Sequence, residues 1–279
     1  MFKKRLIAII GTIFIGATAM VGCNSGGSEA KSTNSVSISG STSVGPVMEA
    51  EAEAFKTKKP DVSIEINQIG SSAGIKNAME GVSEIGMTSR DLKGEEKQAG
   101  LKEVEIAYDG IALITHKNNP VKDLTLAQIK DIYTGKITNW KELGGNDAPI
   151  VVVSREDGSG TRDAFQEIVG FKAEELTVNS QISDGSGNIK SLVQGNENAI
   201  GYISFSYVDD SVSAVKVDGV EATPENVLNK SYKVSRPFLA VYKEENLTES
   251  GKSFIDFILS EEGQDIVAKA VSYTHLRAH

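Results

Sequence analysis

Three times along this chain a short run of β-branched residues gives way to a turn of serine, threonine and glycine, which then opens into a helical pattern. The first turn is Ser39-Gly40-Ser41-Thr42-Ser43-Val44-Gly45-Pro46. The second is Ile69-Gly70-Ser71-Ser72-Ala73-Gly74, leading into 75–79. The third is Val153-Ser154-Arg155-Glu156-Asp157-Gly158-Ser159-Gly160-Thr161-Arg162, leading into 164–169. This alternation restricts the chain to an α/β fold with largely parallel sheets. In such sheets these turns lie at the carboxyl ends of strands, where ligands bind.

Strands are expected at 36–39, 62–66, 104–108, 111–115, 150–154 and 200–204, where β-branched residues concentrate. Pro46 suits a first helical position, and Val47, Ala50, Ala54 and Phe55 trace an apolar stripe after it. Thr125-Leu126-Ala127-Gln128 is a capping box, closed by Gly135. Phe254, Phe257, Ile258, Ile266 and Val267 predict one further amphipathic helix.

A serine before a helix is most often only a cap, worth about 1 kcal/mol. Three such turns in one chain carry more weight. Each would offer free backbone N–H groups and hydroxyls at a helix start, where the dipole favours an anion. Arg155 adds a planar fork that grips two oxyanion oxygens.

The amino terminus addresses the chain. Lys3, Lys4 and Arg5 precede an apolar run over 6–19, the layout of a secretory leader. The run ends at Met20-Val21-Gly22-Cys23, which resembles the bacterial lipobox. That resemblance implies cleavage after 22 and diacylglyceryl attachment at Cys23, the only cysteine of the chain. Residues 23–35 read as a flexible tether. After the leader, about 257 residues remain, enough for two lobes. The net charge of −9 falls to about −12 once the three leader cations go. Such acidity argues against nucleic acid, but not against a small oxyanion held by local hydrogen bonds.

The stretches GSTSVGP, GSSAGI, IGMTSRDL, AYDGIALITHKNNPV, QIKDIYTGKITNW, SREDGSGTRDAF, NAIGYIS and FIDFILSEEGQ carry a family resemblance from about Val36 to Ala270. The chain resembles the phosphate-binding lipoproteins that serve bacterial phosphate ABC transporters. That resemblance implies a two-lobed, type II periplasmic-binding-protein-like fold, with the ligand cleft between lobes joined by a two-segment hinge. The expected lobes are 36–113 plus 238–270, and 114–237. It further implies an extracytoplasmic, lipid-anchored monomer that binds inorganic phosphate, passes it to a membrane permease and uses no cofactor or metal. Thr42 and Ser43 would donate from the first turn and Ser71 from the second. Arg155, Ser159, Gly160 and Thr161 would donate from the other lobe, with Asp157 orienting Arg155.

Two departures stand out. Many family members carry an aspartate that accepts the phosphate proton where this chain has Ser89, followed by Arg90 and Asp91. Ser89 and Arg90 are kept as candidate ligands, Arg90 reading equally as a solvated loop cation. The tail 271–279 lacks the family's Gly-Tyr-containing end.

Three other functions stay open. A receptor for sulfate or molybdate would share the fold. A serine hydrolase or phosphatase would need a base, and His116 is the only histidine before the tail. An adhesive surface lipoprotein would leave the three turns unexplained.

Overall fold

The computed structural model describes residues 34–272. The leader, Cys23, most of the tether and residues 273–279 lie outside the described residues. The chain runs β1 (Ser35–Gly40), α1 (Gly45–Lys58), β2 (Ser63–Gln68), α2 (Ser71–Glu80), β3 (Ile85–Thr88), α3 (Gly94–Gln98) and β4 (Lys102–His116). Next come β5 (Asp123–Leu124), α4 (Leu126–Tyr133), β6 (Val151–Arg155), α5 (Gly160–Val169), β7 (Gln181–Ser183), α6 (Gly185–Gln194) and β8 (Ala199–Ser204). It closes with β9 (Val212–Val217), α7 (Pro224–Leu228), β10 (Ser235–Tyr242), α8 (Glu249–Ile258) and α9 (Glu261–Ser272).

Local signals explain several of these elements. Pro46 sits in the first turn of α1, which buries Val47, Met48 and Phe55 and ends with Lys56 and Lys58 at the negative end of its dipole. Thr125 caps α4 by accepting from Gln128 N, and the Gln128 side chain returns the bond to Thr125 N. The last apolar stripe forms two helices rather than one. The chain breaks after Ile258, and Ser260 Oγ accepts from Gly263 N. Helix α9 reaches Ser272, two residues into the expected tail.

Along the sheet path the strands run β2-β1-β3-β10-β4-β8-β6-β7, with β9 beside β4 and β5. The flanks are parallel, but β10 runs antiparallel to β3 and β4, and β4 antiparallel to β8 and β9. The expected strands at 104–108 and 111–115 are one continuous β4. Its first half pairs with β10 and its second half with β8 and β9. Gly110 permits the passage, because a Cβ there would collide with the Phe205 ring.

The buried apolar side chains separate on either side of that point. One cluster holds Val36, Met48, Phe55, Phe238, Phe254 and Ile258. Another holds Ile111, Tyr133, Trp140, Phe165, Tyr202 and Tyr232, with Phe165 stacked on Tyr202 at 4.0 Å. Each such side chain contributes roughly 1.5–3 kcal/mol by leaving water. Among the described residues, no helix is long and apolar enough to cross a membrane.

Candidate functional site

The first hydroxyl-rich turn, between β1 and α1, is held by Ser41, whose Oγ accepts from Ser43 N at 3.2 Å and from Val44 N at 3.3 Å. Gly40 has a φ of 143°, and a Cβ there would collide with the Met87 backbone, so only glycine lets β1 approach β3 so closely. The second turn places Ser71 at the first position of α2, where its Oγ accepts from Ser89 N at 3.2 Å. Ser89 follows β3 and takes a bond from Ser41 at 3.0 Å. The two turns and the loop after β3 thus converge within one lobe.

The third turn comes to the same place from the other lobe. Ser159 caps α5 by accepting from Arg162 N, so its hydrogen bond runs back into its own helix. Thr161 Oγ1 lies 2.8 Å from Ser43 Oγ and 3.3 Å from Ser89 Oγ. A Cβ on Gly160 would collide with Ser71 Oγ, so the lobes meet there on the strength of a missing side chain. Ser72 N donates to Gly158 O at 3.1 Å, and Tyr207 Oη to Thr42 O at 2.9 Å, two more bonds between the lobes.

Arg155, at the end of β6, is 2 % exposed. Its Nη2 reaches Thr42 Oγ1 at 3.0 Å and its Nη1 reaches Ser186 Oγ at 3.4 Å. Thr42, Ser43, Ser71, Ser89, Arg155, Gly160 and Thr161 are therefore brought together.

Two expectations are corrected. Asp157 does not orient Arg155: it is largely exposed and pairs with Arg162 at 2.6 Å, while Glu156 holds Arg155 with bonds of 2.7 and 2.8 Å. The carboxylate next to Arg155 in sequence leaves the strand end in reach of the guanidinium, whereas Asp157 lies one residue further around the turn. Arg90 is not a solvated loop cation: it is buried, and its Nη2 donates to Ser72 Oγ of the second turn at 3.3 Å. Glu96 grips it at 2.7 and 2.8 Å and Asp163 lies 3.0 Å from its Nε. Burial opposes its charge, but Glu96 and Asp163 together hold its pKa above the usual value. Burial likewise works against the Glu96 charge, and the bond from Arg90 overcomes it, leaving that carboxyl below its usual range.

Sequence reasoning missed four participants. Ser186 is the second residue of α6, in Asp184-Gly185-Ser186-Gly187, a fourth strand–turn–helix junction whose composition matches the other three. Its Oγ lies 3.2 Å from Ser43 Oγ. Ser41 belongs to the first turn, and its Oγ links that turn to Ser89. Glu156 and Tyr207 carried no signal, because their roles depend on which way the chain turns.

The arrangement offers hydroxyls, helix starts and the fork-shaped cation of Arg155 at a point shielded from water. It can hold a small tetrahedral anion by hydrogen bonds without any reaction. Among the described residues no cluster of His, Cys, Asp and Glu could hold a metal ion. The lone body histidine, His116, accepts from Asn118 N at 3.1 Å within its own turn. A separate pocket of about 370 Å³, lined by Tyr108, Phe205, Leu228, Leu259 and Val267 among others, contains none of the clustered hydroxyls.

Known proteins give the same picture. A PBP superfamily domain matches residues 27–262. The phosphate-binding protein PstS of Bacillus subtilis (strain 168) is 35% identical over 250 residues, covering 88% of this chain and 82% of that protein. A crystal structure described as that of a phosphate ABC transporter substrate-binding protein from Clostridium perfringens, with bound phosphate, is 99% identical. Its TM-score is 0.84, and the match covers 85% of this chain and 98% of the other. An ABC-type phosphate transport receptor from Vibrio cholerae is 37% identical, with a TM-score of 0.73 and coverage of 84% and 98%.

Proposed function

This chain belongs to the PBP superfamily and, within it, to the phosphate-binding proteins PstS, and from that membership we infer that its cleft captures inorganic phosphate for an ABC importer. The observation that carries the reading is the meeting of Thr161 with Ser43 and Ser89 across the lobes, beside a buried Arg155. Burying a charged ion is costly unless its oxygens are fully hydrogen-bonded. Donors from four helix starts answer that cost without requiring a basic surface.

In the proposed mechanism, phosphate meets the hydroxyls of one lobe and the other lobe closes over it by bending where β4 and β10 pass between the cores. Thr42, Ser43, Ser71 and Ser89 act from one side. Arg155, Ser159, Gly160 and Thr161 act from the other, with Glu156 fixing the guanidinium. Calorimetric titration of phosphate tests this. Arg155→Ala is expected to weaken binding by about 100-fold or more, and Lys117→Ala by less than about twofold. Equal losses in the two variants would discredit the pocket.

Selectivity is a finer matter. Ser89 stands where many family members carry a carboxylate; its Oγ accepts from Ser41 at 3.0 Å and keeps one proton of its own to donate. A donor does not repel sulfate as a carboxylate would. We expect phosphate to be preferred near pH 7 with sulfate as a measurable competitor. Equal affinity for both ions would end the phosphate preference and leave the anion receptor standing.

The protein acts outside the cytoplasm as a monomer tied to the membrane through lipid on Cys23, which lies outside the described residues. Cys23→Ser should release it into the medium and abolish incorporation of labelled palmitate. Light scattering of the released form should give the mass of one chain.

A further inference from the structure

Asp109 and Arg236 face each other in the β4–β10 register, where both strands pass between the two apolar cores. They are 0 % and 3 % exposed. Arg236 Nη1 bonds Asp109 Oδ2 and, at 3.1 Å, the Asp109 backbone carbonyl, while Ser204 Oγ donates to the same carboxylate oxygen at 2.7 Å. A buried ion pair is a poor stabiliser, since apolar residues of similar volume often do as well or better. Its presence at this crossing therefore asks for a role other than stability.

The remaining contact supplies one. Arg236 Nη2 donates to Thr161 Oγ1 at 3.2 Å. A guanidinium has donors and no acceptor, so the threonine oxygen accepts there. The hydroxyl has one proton of its own, and the other oxygens around it are Ser43 Oγ and Ser89 Oγ, inside the anion site. We propose that Arg236, clamped by Asp109, is a positioning residue for anion capture: it fixes Thr161 as a donor into the site and joins the strands of the hinge to the binding pocket through one hydroxyl.

Charge supports the placement. Burial lowers the Arg236 pKa, Asp109 opposes that, and the positive charge of Arg155 lowers it further. Two guanidinium groups close enough to repel flank the same hydroxyl cluster, and an anion between them relieves the repulsion.

The inference rests on the phosphate reading of this cluster, and the experiment separates the two. Phosphate is titrated calorimetrically against the parent, Thr161→Val, the charge-neutral pair Asp109→Asn/Arg236→Gln, and the triple variant. The neutral pair avoids stranding a buried charge. It is expected to bind about tenfold more weakly, as is Thr161→Val. The triple variant should be no weaker than Thr161→Val within about twofold, because both changes remove the same oriented proton. A neutral pair that binds like the parent, or losses that multiply in the triple variant, would overturn the proposal. A purely structural role predicts that multiplication. Should the neutral pair fail to fold, Arg236→Lys takes its place in the same cycle, and Thr161→Ser, which keeps the hydroxyl, must restore the coupling. Multiplying losses there count equally against it. If Arg155→Ala and Thr161→Val both keep parental affinity, the phosphate reading itself has failed. If they lose it while the cycle is additive, only the hinge inference has.

Discussion

Two buried glutamates in this protein live under opposite conditions. Glu84 Oε1 accepts from Thr248 N and Thr248 Oγ1, both at 2.7 Å, and so caps the start of α8 from outside the helix. Glu51, on the buried face of α1, has no hydrogen-bond partner for either carboxylate oxygen among the described residues. Burial, reinforced by the negative charge of Glu262, pushes the Glu51 carboxyl up to about 8. It is therefore protonated in the folded protein at neutral pH and ionised in the unfolded chain. The folded state binds that proton more tightly, so its contribution is fullest below about pH 4.5 and is lost as pH rises toward about 8. The loss is on the order of 4 kcal/mol across that window. Glu51→Gln should flatten this part of the stability–pH profile, measured by denaturant melts at pH 5 and pH 8. An unchanged slope would show that Glu51 is solvated.

The loop after β3 and the short helix α3 work together as one element. Glu96 in α3 accepts from Lys93 N at 2.7 Å and grips Arg90, so the helix fixes the arginine rather than leaving it to solvent. Arg90 and Lys93 then reach Asp163 of α5, at 3.0 and 3.2 Å. These contacts tie the loop after β3 to α5. They are partly buried, so they are screened less than surface pairs. Asp163→Asn should leave the fold intact, because Arg90 keeps Glu96, and should speed phosphate release about three- to tenfold with little change in the association rate. Stopped-flow release measurements test this, and an effect on association alone would place Asp163 in encounter rather than closure.

At the scale of the whole molecule, closure and stability are linked by mass action. A ligand present at 100 times its Kd adds about 2.7 kcal/mol to folding. For a body of this size that corresponds to a rise of about 5–10 °C in melting temperature. Phosphate should produce this rise in the parent protein and not in Arg155→Ala. The acidic surface, with a formal net charge of −9, should matter little, because the anion is held by donors within hydrogen-bond reach, well inside a Debye length of about 8 Å. Raising salt to 0.5 M should therefore shift phosphate affinity only slightly, and a large shift would point to long-range steering.

The sequence by itself determined whatever depends on near neighbours. The turns at Ser41–Ser43, Ser71 and Ser159 were legible because hydroxyls and glycines before a helix follow from backbone groups a few residues away, and the capping box at Thr125 was legible for the same reason. The fourth junction, at Ser186, obeys the same rule and is equally local in origin. Tertiary structure alone decided what depends on chain paths. That β4 is one strand across Asp109-Gly110 follows from its changing partners, β10 and then β8 and β9. That Glu156 and not Asp157 meets Arg155, that Arg90 turns to Glu96 and Asp163, and that Arg236 touches Thr161 follow from groups 1 to 75 positions apart being folded against one another. Side-chain pairing between segments distant in sequence is set by where the backbones bring the groups, and local propensity carries no record of that.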